Sequence, residues 1–237
     1  MRKRSTAYAL LLALAVCLIT TPIAAAAQVR PALGTPVYVL RGALGIFSSG
    51  MDGLADEMNA NGVPAVSMGF ENWRDYTAAI VRAYAAHRYP VVLVGHSWGA
   101  NTILLMAHEL GKHDIPVALL VFYDATASAR IPPNVRWVIN YRSTSAIGGD
   151  VEVVGGRGFT GVIDNVTRPD LNHVQIDKAE DLHRQTIDAT CKALGIAPSP
   201  SSPARGPSQR TGSPRKRSGR RQRPPPGGPT RCVPPAR

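Results

Sequence analysis

An α/β fold, a mostly parallel sheet of about six strands with helices on both faces in three layers, is predicted by three observations. Short apolar, β-branched runs alternate along the chain with stretches of helical period. The runs are apolar almost throughout, as strands covered on both faces must be. One of them, Val91-Val92-Leu93-Val94, passes straight into Gly95-His96-Ser97-Trp98-Gly99 and then into a helical stretch from Asn101 to Leu110. Strand, sharp turn and helix in that order are the setting in which a Gly-x-Ser-x-Gly serine becomes an exposed nucleophile.

Both ends of the chain are set apart by composition. Arg2-Lys3-Arg4 precedes an apolar run from Ala7 to Ile19, and small residues from Ala24 to Ala27 give an A-x-A pattern before Gln28. This predicts a secretory signal peptide over residues 1–27, and hence an exported protein, periplasmic or secreted. The apolar run is short for a membrane span, and Val16 is bulky for the residue preceding a lipidated Cys17. From Pro198 the composition turns to Pro, Ser, Gly and Arg without apolar period, so residues 198–237 are expected to be a disordered basic tail. Such a tail is a solvated segment, an electrostatic contact to acidic envelope surfaces, or translated out-of-frame GC-rich sequence.

The formal net charge of +11 belongs to these ends. The segment between them, 28–197, holds fourteen basic and sixteen acidic residues, a net charge of −2. A specific nucleic-acid function therefore finds no support in the overall basicity. A segment of this length supports one core and is too short for two full domains. Of the three cysteines, Cys17 falls in the signal peptide, Cys191 on a predicted helix and Cys232 in the tail. Export permits a Cys191–Cys232 bridge, and two free thiols serve equally well.

Within 28–197, Val37 to Leu40 reads as a buried strand ending in Arg41-Gly42-Ala43-Leu44-Gly45. Asp52 to Asn61 has helical character, with Leu54, Ala55 and Met58 on one face and Gly62 as a stop. Val63 to Met68 is a second strand. Asp75 to His87 is a helix on the spacing of Tyr76, Ile80 and Tyr84, broken by Pro90. The helix after the serine is apolar nearly all round and is expected to be buried centrally. Pro116 to Tyr123 and Val135 to Tyr141 are further strands. Val162 to Val166 is a sixth, interrupted by Asp164 and Asn165. Asp177-Lys178-Ala179-Glu180 reads as a capping box opening a last helix that ends at Leu194 before Gly195.

A serine hydroxyl needs an imidazole to take its proton, and the imidazole needs an acid to fix its tautomer. With the order Ser, acid, His, the base must follow Ser97, which excludes His87 and His96. His108 and His113 lie on the helix leading away from the serine. His108-Glu109 also lacks the second histidine of a zinc motif, since Lys112 stands there, so no metal is expected. His183 shares a helical face with Ile187, Cys191 and Leu194 and reads as a packed core histidine. His173, in the loop after the last strand, is the candidate base. For the acid, Asp124 comes directly off a strand end and is favoured for its rigid mount over Asp150, the alternative, which follows Gly148-Gly149. The oxyanion hole is expected from the amide of Trp98 and from that of Ala43, with Leu44 the alternative.

These residues resemble the α/β-hydrolase superfamily, in particular its small, lidless bacterial lipase/esterase and thioesterase-like members. The resemblance covers about residues 36–195 and rests on Arg41-Gly42-Ala43-Leu44-Gly45, on Gly95-His96-Ser97-Trp98-Gly99 and on an Asp and a His in order. It implies a minimal hydrolase fold without a lid, acting as a monomer on a small ester or lipid-like substrate, with no metal or organic cofactor. Ser97 then attacks an ester or thioester carbonyl and His173 relays the proton. Arg41 stands where such enzymes frequently have histidine. Thioesterase or amidase action on the same triad, and a non-catalytic envelope-binding protein with this fold, are the alternatives.

Overall fold

The apolar runs pair side by side in a single six-stranded sheet. The structure, a computed structural model, describes residues 37–43, 45, 48–145 and 151–199, with the backbone alone at 197–199 and 231–233. In chain order the elements are β1 (Val37–Arg41), α1 (Gly50–Ala60), β2 (Ala65–Gly69), α2 (Trp73–Ala86), β3 (Val91–His96), α3 (Trp98–Lys112) and β4 (Val117–Tyr123). They continue with β5 (Ala129–Ile131), β6 (Trp137–Ser143), β7 (Val153–Gly155), β8 (Val162–Arg168), α4 (Glu180–Leu194), β9 (Ala197–Ser199) and β10 (Arg231–Val233). All belong to the unit Pro31–Arg237. The other unit, Met1–Arg30, which holds the expected signal peptide, lies outside the described residues.

The strand order is β2-β1-β3-β4-β6-β8, and every neighbouring pair is parallel. Alternate residues of each strand serve opposite faces. Tyr38, Leu40, Leu93, Leu120 and Phe122 pack with Ile80 of α2 and with Ile103, Met106 and Leu110 of α3. Val37, Val39, Val92, Val94 and Val121 pack with Met51, Leu54 and Met58 of α1 and with Leu182 and Ile187 of α4. The fold is therefore the predicted α/β class, three layers deep. The chain leaves β1 for β2 on one side and returns to β3 on the other. The carboxyl ends of β1 and β3 thus flank the reversal point where parallel sheets open a crevice.

Several local expectations are corrected. The helix after the serine is not enclosed on all sides: Leu105 is half exposed, because α3 lies in an outer layer with its apolar Ile103, Met106 and Leu110 on the sheet. Asp177 is not the cap of the last helix. It belongs to a 3₁₀ turn, Ile176–Lys178, and Ala179 stands at the start of α4 without a side-chain cap. The Asp177 carboxylate is engaged elsewhere, accepting the Gly50 amide at 3.0 Å and pairing with Lys178 at 2.8 Å. The sixth strand extends to Arg168 at the sheet edge. There the exposed Asp164 accepts the Trp137 indole N–H, and Asn165 accepts the Asn140 amide at 2.8 Å.

Cys191, on α4, is disulfide-bonded. The side chain of Cys232, the expected candidate partner, lies outside the described residues, as do residues 200–230 and 234–237 of the expected tail. The backbone of β10, within that tail, pairs antiparallel with β9. Among the described residues, no helix is long and apolar enough to cross a membrane.

Candidate active site

β3 delivers Ser97 at its carboxyl end with φ 57° and ψ −122°, a backbone geometry that side chains adopt only when the surroundings enforce it. Two contacts enforce it here. The Ser97 amide donates to the Tyr123 carbonyl at 3.0 Å, and the Ser97 carbonyl accepts the Asn101 amide at 3.2 Å. The flanking glycines let strand and helix touch backbone to backbone. A Cβ on Gly95 would lie 2.5 Å from the Gly99 carbonyl oxygen, and one on Gly99 would lie 2.5 Å from that of Leu40. No other residue fits either position.

Two side chains from strand ends and one from a loop then meet. The His173 Nε2 is 2.9 Å from the Ser97 Oγ. The His173 Nδ1 is 2.7 Å from the Asp124 Oδ2. Asp124, directly after β4, is fully buried and, like Ser97, has positive φ, at 51°. A buried carboxylate needs donors. The Ser143 amide reaches its Oδ1 at 2.7 Å, and the Ser143 hydroxyl reaches its Oδ2 at 2.8 Å. The single Ser143 proton points at Asp124, so the Ser145 hydroxyl, 2.7 Å away, is the donor to Ser143. Because a carboxylate only accepts, His173 carries its proton on Nδ1 and presents a bare Nε2 to Ser97. That is the tautomer a general base requires.

The loop after β1 lies against the serine. A Cβ on Gly42 would sit 2.8 Å from the Ser97 Cβ and 2.9 Å from the His96 carbonyl oxygen. Ala43 follows in this loop, while the alternative donor Leu44 lies outside the described residues. Trp98 opens α3, so its amide is one of the first-turn N–H groups that no helical carbonyl can satisfy. Its side chain is half exposed and meets the Phe70 ring edge-on at 5.6 Å between centroids. Asn101 and Thr126 exchange two hydrogen bonds, 2.6 and 3.1 Å, that tie the first turn of α3 to the segment after Asp124.

The loop bearing His173 is anchored at both ends. Arg168, finishing β8, grips Asp170 with two hydrogen bonds of 2.8 and 2.6 Å and Asp181 of α4 with one of 2.7 Å. The Arg168 contacts hold the Asp170 carboxyl down at about 2. Past His173, Asp177 fastens the loop to the start of α1, where Gly50 packs so tightly on the Asp177 backbone that no side chain fits.

His96, set aside as a base, is buried between these loops. Its Nδ1 is 2.7 Å from the Ser48 Oγ, its Nε2 is 2.8 Å from the His173 carbonyl oxygen, and its ring lies 4.8 Å from that of His173. The Ser48 Oγ in turn accepts the Gly42 amide at 3.0 Å. Sequence reasoning missed Ser48, Ser143 and this use of His96. In the sequence Ser143 lies two residues past the expected strand end at Tyr141; β6 runs on to Ser143 and so carries it to Asp124. His183 is buried as a core histidine, between the Asp177 carbonyl at 2.7 Å and Glu57 at 3.1 Å. Arg41 pairs with Asp52 at 2.8 Å. Asp150 lies outside the described residues, and among those described no three metal-binding side chains cluster.

The sequence pattern of the alpha/beta hydrolase family matches residues 23–204. Among solved structures, the chain is similar to the thioesterase domain of NocB in covalent complex with a fluorophosphonate nocardicin G analogue. There the TM-score is 0.39 at 17% identity, over 67% of this chain and 94% of that one. No curated protein matches the chain.

Proposed function

This chain belongs to the alpha/beta hydrolase family and is an enzyme of the hydrolase type, and from that premise we propose that it is an exported serine hydrolase cleaving carboxylic esters. The observation that carries the reading is the unbroken hydrogen-bond chain from Ser97 through His173 to Asp124. A merely structural serine has no need of a buried acid that fixes the tautomer of its neighbour.

In this mechanism His173 takes the Ser97 proton as Oγ attacks the ester carbonyl. Negative charge moves onto the carbonyl oxygen, where the amides of Trp98 and Ala43 receive it. The α3 amino terminus adds its positive end to the same spot. His173, now imidazolium beside the Asp124 carboxylate, returns the proton to the departing alkoxide, leaving an acyl-Ser97. Water then gives up a proton to His173, its oxygen attacks the acyl carbon, and the acid leaves as Ser97 recovers its hydrogen. The half-exposed Trp98, edge-on to Phe70, offers an aromatic surface for an apolar part of the substrate.

The test needs no knowledge of the natural substrate. Wild type should label with a fluorophosphonate probe and turn over p-nitrophenyl esters of graded acyl length, faster than matched thioesters or p-nitroanilides. Ser97→Ala should do neither. Activity in the Ser97→Ala protein refutes the nucleophile, faster thioester or anilide cleavage refutes the ester preference, and an inert wild type leaves the binding-protein reading. Export is checked by fractionation and by sequencing the mature amino terminus, expected at Gln28.

A further inference from the structure

We propose that Ser48 and His96 form a positioning relay that holds the loop after β1 and the His173 loop in one register, and that Ser97 is fully reactive only while the relay is intact. The proposal rests on the triad reading above and adds two residues to it.

For a neutral His96 the bonding pattern has one solution. The His173 carbonyl can only accept, so His96 Nε2 carries the proton at that 2.8 Å contact. In neutral imidazole the other nitrogen is then an acceptor, and the Ser48 hydroxyl must donate to it at 2.7 Å. That leaves the Ser48 oxygen lone pairs for the Gly42 N–H at 3.0 Å. Gly42 N–H to Ser48, Ser48 to His96 and His96 to the His173 carbonyl form a single directed chain in which every described donor has its acceptor. Burial, the largest influence, pushes the His96 imidazole below its ordinary value, outweighing Asp177, Asp124 and the bond to the His173 carbonyl, which raise it, while the His173 ring lowers it further. The neutral form the chain requires is thus the favoured one.

The two ends of the chain lie in the two loops of the site, whereas Ser97 and Asp124 sit at strand ends. Gly42 immediately precedes Ala43, the proposed oxyanion donor. The His173 carbonyl belongs to the residue whose ring must reach both Ser97 and Asp124. Reactive geometry is sensitive to displacements of about 1 Å, worth about 100-fold in rate. A link between donor loop and base loop, running through the nucleophile's own neighbour His96, fixes their spacing.

The experiment compares Ser48→Ala, His96→Phe and the double variant. Fluorophosphonate labelling and kcat on a p-nitrophenyl ester should fall about 10- to 100-fold in each single variant, with KM changed less than about threefold. Because the relay acts as a unit, the double variant should be no slower than the worse single one. His96→Gln, whose amide keeps a donor for the His173 carbonyl, should recover part of the loss. Should His96→Phe fail to fold, Ser48→Ala alone decides, since it leaves the His96–His173 bond in place. Undiminished kcat in Ser48→Ala, losses that multiply in the double variant, or a fall in Tm with normal labelling would each overturn the relay. A readout independent of turnover is the ¹⁵N spectrum of the histidines. Ser48→Ala should displace the His173 ring signals, and unchanged signals overturn the coupling even if the hydrolase reading itself fails on Ser97→Ala.

Discussion

Replacing Asp124 by Asn puts the reading of the acid at risk most directly, and the structure sets the size of the effect. The Ser143 amide donates to Oδ1 of Asp124. In the Asp124→Asn protein the new side chain therefore keeps its carbonyl oxygen there and turns its NH₂ toward the Oδ2 position, facing the Ser143 hydroxyl and His173 Nδ1. Ser143 can rotate its proton and accept. His173 must then accept on Nδ1 and carry its proton on Nε2, where it can no longer take one from Ser97. The opposite amide orientation keeps the right tautomer but sets NH₂ against the buried Ser143 N–H, at a cost of about 1–3 kcal/mol. The productive population thus drops about 5- to 150-fold at the outset. Loss of the carboxylate beside the imidazolium brings the fall in kcat to about 10³–10⁴-fold, or about 4–5.5 kcal/mol of activation free energy. Stopped-flow labelling with a fluorophosphonate and p-nitrophenyl ester kinetics measure this, and imidazole ¹⁵N shifts report the tautomer. An Asp124→Asn enzyme within about tenfold of wild type, with Asp150→Asn crippled, would transfer the role to Asp150 and refute the argument.

Ser143→Ala removes one of the donors to a fully buried carboxylate, and denaturant titration should show a loss of about 1.5–3 kcal/mol, with kcat reduced about tenfold. Gly42→Ala places a methyl 2.8 Å from the Ser97 Cβ and 2.9 Å from a backbone oxygen, so the loop must retreat. It should cost about 1–3 kcal/mol and suppress labelling more than stability, read by Tm beside labelling rate. The Asp170 carboxyl is held at about 2 by Arg168. The stability it contributes is present above the ordinary carboxylate value of about 4 and is lost as pH falls toward 2. A ¹³C carboxyl titration should place its midpoint there, and Asp170→Asn should flatten that part of the acid limb.

The layers of this fold were readable because they are written locally. Apolar runs such as Val91–Val94 and Val117–Tyr123, with helical spacings between them, need only a few neighbouring residues to declare themselves. Ser97, His173 and Asp124 were singled out by chain order and strand ends, and these are the side chains the structure brings into contact. What order does not carry is the identity of distant partners. Asp177 has the local signature of a cap because Glu180 stands three places on, yet its carboxylate binds an amide 127 residues away. Ser48 and His96 lie 48 apart, and Ser143 is 19 from the acid it orients. Nothing in a short polar residue announces such a partner before the sheet is assembled. Arg41 likewise acquires its meaning from Asp52 only once α1 is seated beside β1.

The spacing of these bonds also has a kinetic consequence. Ser97 and His173 are separated by 76 residues and Asp124 and His173 by 49, so each is a loop whose closure entropy is lost before the contact can offset it. An unfolded or half-folded chain therefore carries an ordinary, unreactive serine. Chemical competence arrives only with β8 and the loop after it, so the rate of Ser97 labelling during refolding is a clock for assembly of the sheet from β3 to β8.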